Sequence, residues 1–343
     1  MENRATIKDI ASAAGVSVAT VSYIMNNTPG KTISDQTRNR VLAVAEELHY
    51  VPNTSAQRLK TNRTKCIAVR LSNNLSQPRY HNIIQGIRSY LAPSGYSILL
   101  TSFDERGSLS GCLDACMRGQ ADGMIYIAAR GIGIPEKDLE WIRKWNIPVS
   151  AVDCMGSVPD VSSVVYDYYS SSRDRVDILL QNGYRKIVYL RPKYQNYKES
   201  AREQGVRSIL MEREDVSVEV RHMESLDEEW YNRYLTQNYD DSALWMIKEV
   251  KELLKGVSSD TAIVCYSGEM QDVVTRLLYA EYLRNPLPEN KNWAKRSISY
   301  RFPNRDVGIE AARSLMAMLN NKKTVRKVSI HPVLEFPDPE YFV

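Results

Sequence analysis

The chain has 343 residues, 25% of them charged, with 45 Lys and Arg against 41 Asp and Glu for a formal net charge of +4. That length exceeds what one small core organises and predicts two or three domains. No apolar run approaches the roughly 18 residues that a membrane span requires, which argues against an integral membrane protein. No signal-peptide pattern precedes the first helical motif, and the five cysteines are odd in number and scattered. A cytoplasmic protein with reduced thiols is therefore expected, and a disulfide framework is not.

The charge is uneven. Residues 1–65 hold nine Lys and Arg and five acids, a surplus equal to that of the whole chain, so positive potential gathers where phosphate would be met. In chain order, Thr6 with Asp9 forms a capping box that opens a helix with Ile7, Ile10 and Ala11 on its buried stripe. Gly15 breaks the pattern, and Ser17 can cap a second helix. That helix turns Val21 and Ile24 inward and leaves Val18, Ala19, Ser22 and Tyr23 outside. Two short helices about a Gly-centred turn form a helix-turn-helix, which places the start of its second helix in the major groove of double-stranded DNA. A third helix from Ser34 is expected to close the core with Val41, Leu42, Ala45 and Leu48. Residues 53–60 have helix-compatible composition but too little apolar surface to fold without a partner.

Residues 6 to 59 carry T-I-K-D-I-A, then A-G-V-S-x-x-T-V-S, I-S-x-x-T-R, Y-x-P-N and A-x-x-L in that order. This series resembles the headpiece and hinge of the LacI/GalR family of bacterial transcription regulators. The resemblance implies an operator-binding homodimer that acts as a repressor, with a small-molecule effector, sugar-related, in a core of two lobes. It further implies that Leu59 wedges between base pairs in the minor groove, with Asn53, Ala56 and Arg58 beside it. In the second helix Tyr23 stands where most members present Arg, so a bidentate contact to guanine is missing there and direct base readout is thin. Val18 and Ala19 suit thymine methyls, while Thr6, Ser17, Ser22, Asn26, Ser34, Thr37 and Tyr50 are left to position the protein on phosphates.

From residue 66, short β-rich runs alternate with helical patterns, which predicts parallel sheets covered on both faces. The fold class expected is an all-α helix-turn-helix headpiece plus an α/β periplasmic-binding-protein-like core of two doubly wound lobes. Residues 1–51 form the headpiece, 52–64 the hinge and 65–343 the core. Lobe one is expected over about 65–165 and 296–323, and lobe two over about 166–295 and 324–343, with crossings near Tyr166, Lys295 and Thr324.

Ligands in α/β folds sit beyond the carboxyl ends of strands, which directs attention to Ser72–Tyr80, Asp104, Ala128–Arg130, Asp153, Asp167, Arg202 and Tyr266–Glu269. The resemblance makes Asp153 and Arg202, the latter in an R-x-x-G sequence, the effector contacts, with Tyr80 and Glu269 also at the cleft. Three segments depart from the family pattern: Ser267-Gly268 replaces an Asn-Asp pair, Ser76–Tyr80 replaces an Asn-Pro-aromatic signature, and Lys291–Tyr300 replaces an apolar run. These changes keep open a second reading, regulation by a protein corepressor with a degenerate cleft. An exported solute-binding protein is disfavoured by the headpiece. An enzyme is disfavoured because no P-loop, H-E-x-x-H or G-x-S-x-G pattern occurs and only four histidines are present. No cofactor or metal site is expected. Cys112 and Cys116 lie four apart on one helix face and read as small buried hydrophobes, and Trp230, Tyr231 and Tyr234 read as packing aromatics.

Overall fold

Three helices build the N-terminal unit among its described residues. The computed structural model describes residues 5–25, 30–50, 63–71, 78–101, 110–128, 133–154, 158–230, 244–284, 286, 294–321 and 324–335, and divides the chain into units of residues 1–64 and 65–343. Helix α1 (Ile7–Ala14) opens on Thr6, whose hydroxyl accepts from Asp9 N at 3.4 Å while Asp9 Oδ2 accepts from Thr6 N at 2.8 Å. This is the reciprocal capping box that the spacing predicts. Gly15 ends the helix in the left-handed region at φ 64°. Ser17 caps α2 (Val18–Met25) by accepting from Thr20 N at 3.0 Å, and Ser34 caps α3 (Asp35–Glu47) by accepting from Thr37 N at 3.3 Å.

Ile10, Ala11, Ala14, Val21, Ile24, Val41 and Ala45 form the headpiece core. Two residues expected there are outside it, since Leu42 is 45% and Leu48 36% exposed. Val41 and Ala45 share a face one turn apart, and a step of about 100° per residue carries Leu42 off that face. Leu48 lies past the last helical turn, and Ile33, Val44 and Tyr50 cover the core instead.

In the second unit the strands are β1 (Cys66–Arg70), β2 (Ser97–Thr101), β3 (Gly123–Ile127), β4 (Val149–Val152), β5 (Ser162–Tyr166), β6 (Lys186–Pro192), β7 (Ser217–Met223), β8 (Thr261–Cys265), β9 (Ser299–Arg301), β10 (Lys327–Ile330) and β11 (Val333–Glu335). The helices are α4 (Pro78–Leu91), α5 (Ser110–Met117), α6 (Glu136–Trp145), α7 (Tyr168–Gln181), α8 (Tyr197–Arg207), α9 (Leu244–Leu254), α10 (Gly268–Arg284) and α11 (Asn304–Asn320). One lobe is a six-stranded parallel sheet of order β10-β5-β4-β3-β1-β2, and the other a three-stranded parallel sheet of order β7-β6-β8. Strands β3 and β4 are buried at every residue, as inner strands covered on both faces require, whereas the edge strands β2 and β10 are not. Strand β8 ends the three-stranded order yet is also buried throughout, with Ser297 bridging Ile263 on its far side.

Alternation along each strand splits the core into two layers. Ile67, Val69, Ile125 and Ile127 face α4 and α11, while Ala68, Met124 and Tyr126 face α5 and α6. Across β6 the same alternation sends Ile187 and Tyr189 toward α7 and α8, and Val188 and Leu190 toward α9 and α10.

Two of the expected lobe crossings are displaced. Strand β9 still belongs with the second lobe, because Ser297 bridges Ile263 of β8, and the chain enters the first lobe only at Pro303, the N-cap of α11. After α11, residues Lys327–Ile330 do not leave for the second lobe near Thr324. They pair with β5 from Lys327–Ser163 to Ile330–Tyr166, partly burying Val328 and Ile330 against the first core. Among the described residues of the tail, β11 alone returns, pairing antiparallel with β9. A short turn after a helix on a parallel sheet delivers the chain to that sheet's open edge, and the apolar pattern of 327–330 suits it.

Helices α4 and α11 cross with backbone against backbone. A Cβ built on Gly308 would stand 2.1 Å from Ile83 O, and one on Gly86 would stand 1.9 Å from Arg305 O. Gly308→Ala is therefore expected to destabilise the protein by about 1–3 kcal/mol through overpacking, against the gain that Ala normally brings to a helix interior. Thermal melting of the variant beside wild type decides the sign.

Candidate nucleic-acid interface and inter-lobe cleft

The headpiece presents α2 outward as expected: Val18 is 42% exposed, Ala19 is exposed, and Ser22 and Tyr23 are half-buried. Lys31 Nζ lies 5.1 Å from the centroid of the Tyr23 ring, a cation–π contact that holds the ring. Thr6, Ser17 and Ser34, expected at phosphates, share one structural property, since each is the N-cap of its helix. Three helix N-termini with exposed caps supply backbone N–H groups and positive dipole ends, which favour phosphate. Thr37 accompanies Ser34, with the two hydroxyl oxygens 2.9 Å apart, and Tyr50 packs partly against the core. Asn26, Asn53, Ala56, Arg58 and Leu59 lie outside the described residues.

The second candidate site is a cleft of about 440 Å³ where strand ends of both lobes meet. Its walls are aromatic: Tyr80, Tyr166, Tyr168, Tyr194, Tyr266, Tyr300 and Phe302. Phe302, at a lobe crossing, has its ring centroid 4.4 Å from Tyr166, 5.3 Å from Tyr168 and 5.1 Å from Tyr300. Arg79 from the first turn of α4 and Lys198, Glu199 and Arg202 from α8 form the charged floor. Exposed Glu269, Asp272 and Arg301 stand at the mouth.

Beneath this floor lies Asp153, just past β4, fully buried and in the left-handed region at φ 54°. Arg79 donates to its carboxylate at 2.7 Å, Tyr197 donates at 2.8 Å, the Tyr168 hydroxyl lies 3.0 Å from both oxygens, and Lys198 is ion-paired to it. Arg79 belongs to the first lobe, and Tyr168, Tyr197 and Lys198 to helices of the second. Burial would raise the Asp153 carboxyl, but the Lys198 and Arg79 charges outweigh it and hold the group below the usual carboxylate range. Lys198 goes the other way. Burial, with Arg79 opposing the charge, lowers its ammonium to about 8 despite the support of Asp153. One carboxylate is shared by two cations, so the anion is stabilised and the second cation is not.

Arg202 lines the cleft as expected, but it is ion-paired with Glu199 one turn back, and its guanidinium carbon lies 4.4 Å from the Tyr168 ring centroid. Tyr80 lines the cleft and is 3% exposed, and Glu269 reaches only the mouth. The direct contact expected of Asp153 needs correction: the residue has no exposed surface, because its four internal donors close over it. Gly268, which replaces an expected Asp, is set against β9, where a Cβ would stand 2.6 Å from Tyr300 O. The strand leaves no room for a side chain there. Asp104, Ala129, Arg130, Tyr231 and Tyr234 lie outside the described residues, and Trp230 stacks on Tyr194 at 6.4 Å.

Sequence reasoning missed Lys198, Tyr168, Tyr197 and Phe302. Lys198 was within reach, since it lies four residues before Arg202 and so on the same helix face. The excess of 21 Tyr over 4 Phe was a further signal, because hydroxyls replace apolar ring edges where buried charge must be satisfied. Cys112 and Cys116 are free thiols on α5, pushed by burial up to about 11 and about 12, and stay protonated near neutral pH.

Comparison with known proteins gives the same two parts. Residues 6–53 match the family model of bacterial regulatory proteins, lacI family, and residues 65–236 match that of periplasmic binding proteins and sugar binding domain of LacI family. The chain is 25% identical to the HTH-type transcriptional regulator RegA of Clostridium saccharobutylicum over 336 residues, 93% of each chain. It is 30% identical to catabolite control protein A of Priestia megaterium over 186 residues, 54% of each chain. Its fold is similar to that of a lac repressor dimer bound to operator and the anti-inducer ONPF, with a TM-score of 0.66 at 18% identity over 97% of this chain and 98% of that one.

Asp153→Asn keeps a residue that tolerates the left-handed backbone and removes the shared charge. It is expected to cost about 3–5 kcal/mol in chemical unfolding, because two cations are left facing each other in the interior. Lys198 supplies a pH signature. Its folded value of about 8 lies below its ordinary 10.5, so the folded state binds fewer protons over that window and stability gains as pH rises through it. Lys198→Met should lack that gain, seen as a smaller change in urea midpoint between pH 7.5 and pH 10.

Proposed function

The chain belongs to the LacI family of bacterial regulatory proteins, and on that premise we propose that this DNA-binding transcriptional regulator works as a cytoplasmic homodimeric repressor. Its hold on a near-palindromic operator is set by a small, sugar-related effector in the inter-lobe cleft. Two headpieces read two half-sites, with α2 of each in the major groove. Thin base readout from Val18, Ala19 and Tyr23 is supplemented by hinge residues Asn53, Ala56 and Leu59 at the minor groove. Phosphate contacts through Thr6, Ser17, Ser22, Asn26, Ser34, Thr37 and Tyr50 set register.

The observation that carries the regulatory half of this reading is the composition of the Asp153 cluster. Its donors come from both lobes, and those donors adjoin or line the cleft. A ligand contacting Arg79, Lys198 or Arg202 competes with the bonds that join the lobes. It therefore favours one lobe geometry by its differential affinity, which couples cleft occupancy to hinge spacing and DNA affinity. The match to a sugar binding domain supports a sugar-like occupant.

Selection from a random duplex library by the full-length protein at fixed salt tests the DNA half. Two inverted half-sites about a flexible central step are expected. Enrichment of a single half-site would sink the dimer reading. Tyr23→Ala should relax preference at one position in each half-site, at a cost of about 1–3 kcal/mol for that base, with an unchanged melting temperature because the ring lies outside the headpiece core.

A further inference from the structure

The charges around the cleft do not balance. Arg79, Lys198 and Arg202 occupy its floor, and behind Tyr300 lies a fourth cation, Arg175, whose guanidinium carbon is 4.5 Å from that ring centroid. Arg175 is 1% exposed and donates to Ile298 O at 3.2 Å, to Cys265 O at 2.8 Å and to Gln271 Oε1, so its described partners are neutral. Against these four cations stand two buried carboxylates, Asp153 and Glu199. Nearby Arg191 does not alter the difference, since it is paired with Glu203. Glu269 and Asp272 offset part of the surplus at the mouth, but both are exposed, and water screens them far more than it screens groups on the floor.

Unused hydrogen-bonding capacity lies in the same place. Arg79 Nε and Arg202 Nε are buried without a partner among the described residues, as are Glu199 Oε2 and the Tyr189 hydroxyl. Arg202 lines the cleft and is 9% exposed. The two guanidinium nitrogens can only donate, and Glu199 Oε2 can only accept while ionised. An unpaired buried polar atom is costly, so a group of them beside a cleft describes the ligand that would satisfy it. Anionic oxygens answer the guanidinium donors and the charge surplus. A hydroxyl answers Glu199, and the aromatic walls suit the apolar face of a sugar ring.

We propose that the cleft is built for an anionic polyol, a sugar-sized ligand carrying hydroxyls together with a phosphate or carboxylate that offsets the surplus positive charge and answers the unpartnered Nε donors of Arg79 and Arg202. This rests on the effector reading above and gives it a chemical class. A neutral sugar leaves the cations as unbalanced as before, whereas an anion neutralises them and competes with Asp153 for Arg79 and Lys198.

The test is calorimetric titration of the full-length protein at constant ionic strength. The probes are ribose, glucose and galactose, their terminal phosphates, their aldonates and uronates, and inorganic phosphate. At least one charged sugar is expected to bind ten times or more tighter than its neutral parent, and the phosphate and carboxylate arms show which anion is preferred. Arg202→Gln should reduce that preference at least fivefold; if it does not fold, Lys198→Gln, which keeps a donor and removes a charge, serves in its place. Neutral sugars binding as tightly as charged ones would overturn the proposal and leave the effector reading standing. Inorganic phosphate binding as tightly as any sugar phosphate would overturn its polyol half. Binding by no member of the panel would overturn both the proposal and the effector reading.

Discussion

One carboxylate holds the lobe junction. Asp153 gathers two cations and two phenol hydroxyls from both lobes, and no subset of these groups is tolerable alone in the interior. The carboxylate without its cations, or the cations without the carboxylate, would carry a desolvation cost of several kcal/mol. The cluster is therefore formed together or opened together. That property suits a junction between two rigid bodies, because an interaction that cannot be half made has discrete states and no continuous yielding.

The surrounding fold keeps these groups in place. The sheet sets Asp153 at the end of β4, and the left-handed backbone there turns the carboxylate inward. Arg79 is fixed by α4, whose close crossing with α11 through Gly86 and Gly308 leaves little play. On the other side, Asn196 caps α8 by accepting from Lys198 N and Glu199 N at 2.9 Å, fixing the turn that carries Tyr197, Lys198 and Glu199. Phe302 sits where the chain changes lobes and touches three tyrosine rings, so any movement of that crossing repacks the cleft wall. Excess positive charge at the floor follows from the same arrangement, since Arg79 and Lys198 share the one carboxylate of Asp153 and Glu199 is ion-paired with Arg202.

In the headpiece the economy is different. Its polar side chains near the helix starts serve first as caps, which a small three-helix unit needs because each uncapped start leaves backbone donors unpaired. In the proposed reading capping and phosphate binding draw on the same N-terminal amides, so stability and DNA positioning would come from one set of residues. In the same reading base contacts are left to a few small or aromatic side chains on α2. Part of the sequence choice is therefore assigned to the hinge in the proposed reading, on the A-x-x-L resemblance at residues 56–59.

Local signals were legible in the sequence. The capping box at Thr6 and Asp9, the turn at Gly15 and the alternation of strands and helices are all set by interactions within a few residues of one another, and they read directly from spacing and composition. The place of Arg202 in the cleft lining was indicated instead by the family resemblance of its R-x-x-G sequence. Tertiary structure alone decided the rest. The pairing of Lys327–Ile330 with β5, the shift of two crossings, the exposure of Leu42 and Leu48 and the withdrawal of Asp153 from the cleft surface depend on which segment reaches which edge or charge first. Asp153 and Lys198 are 45 residues apart along the chain, and nothing in either neighbourhood indicates that one carboxylate will be shared. Charge balance in an interior is a property of the assembled set of groups, so it is fixed only when the lobes close around it.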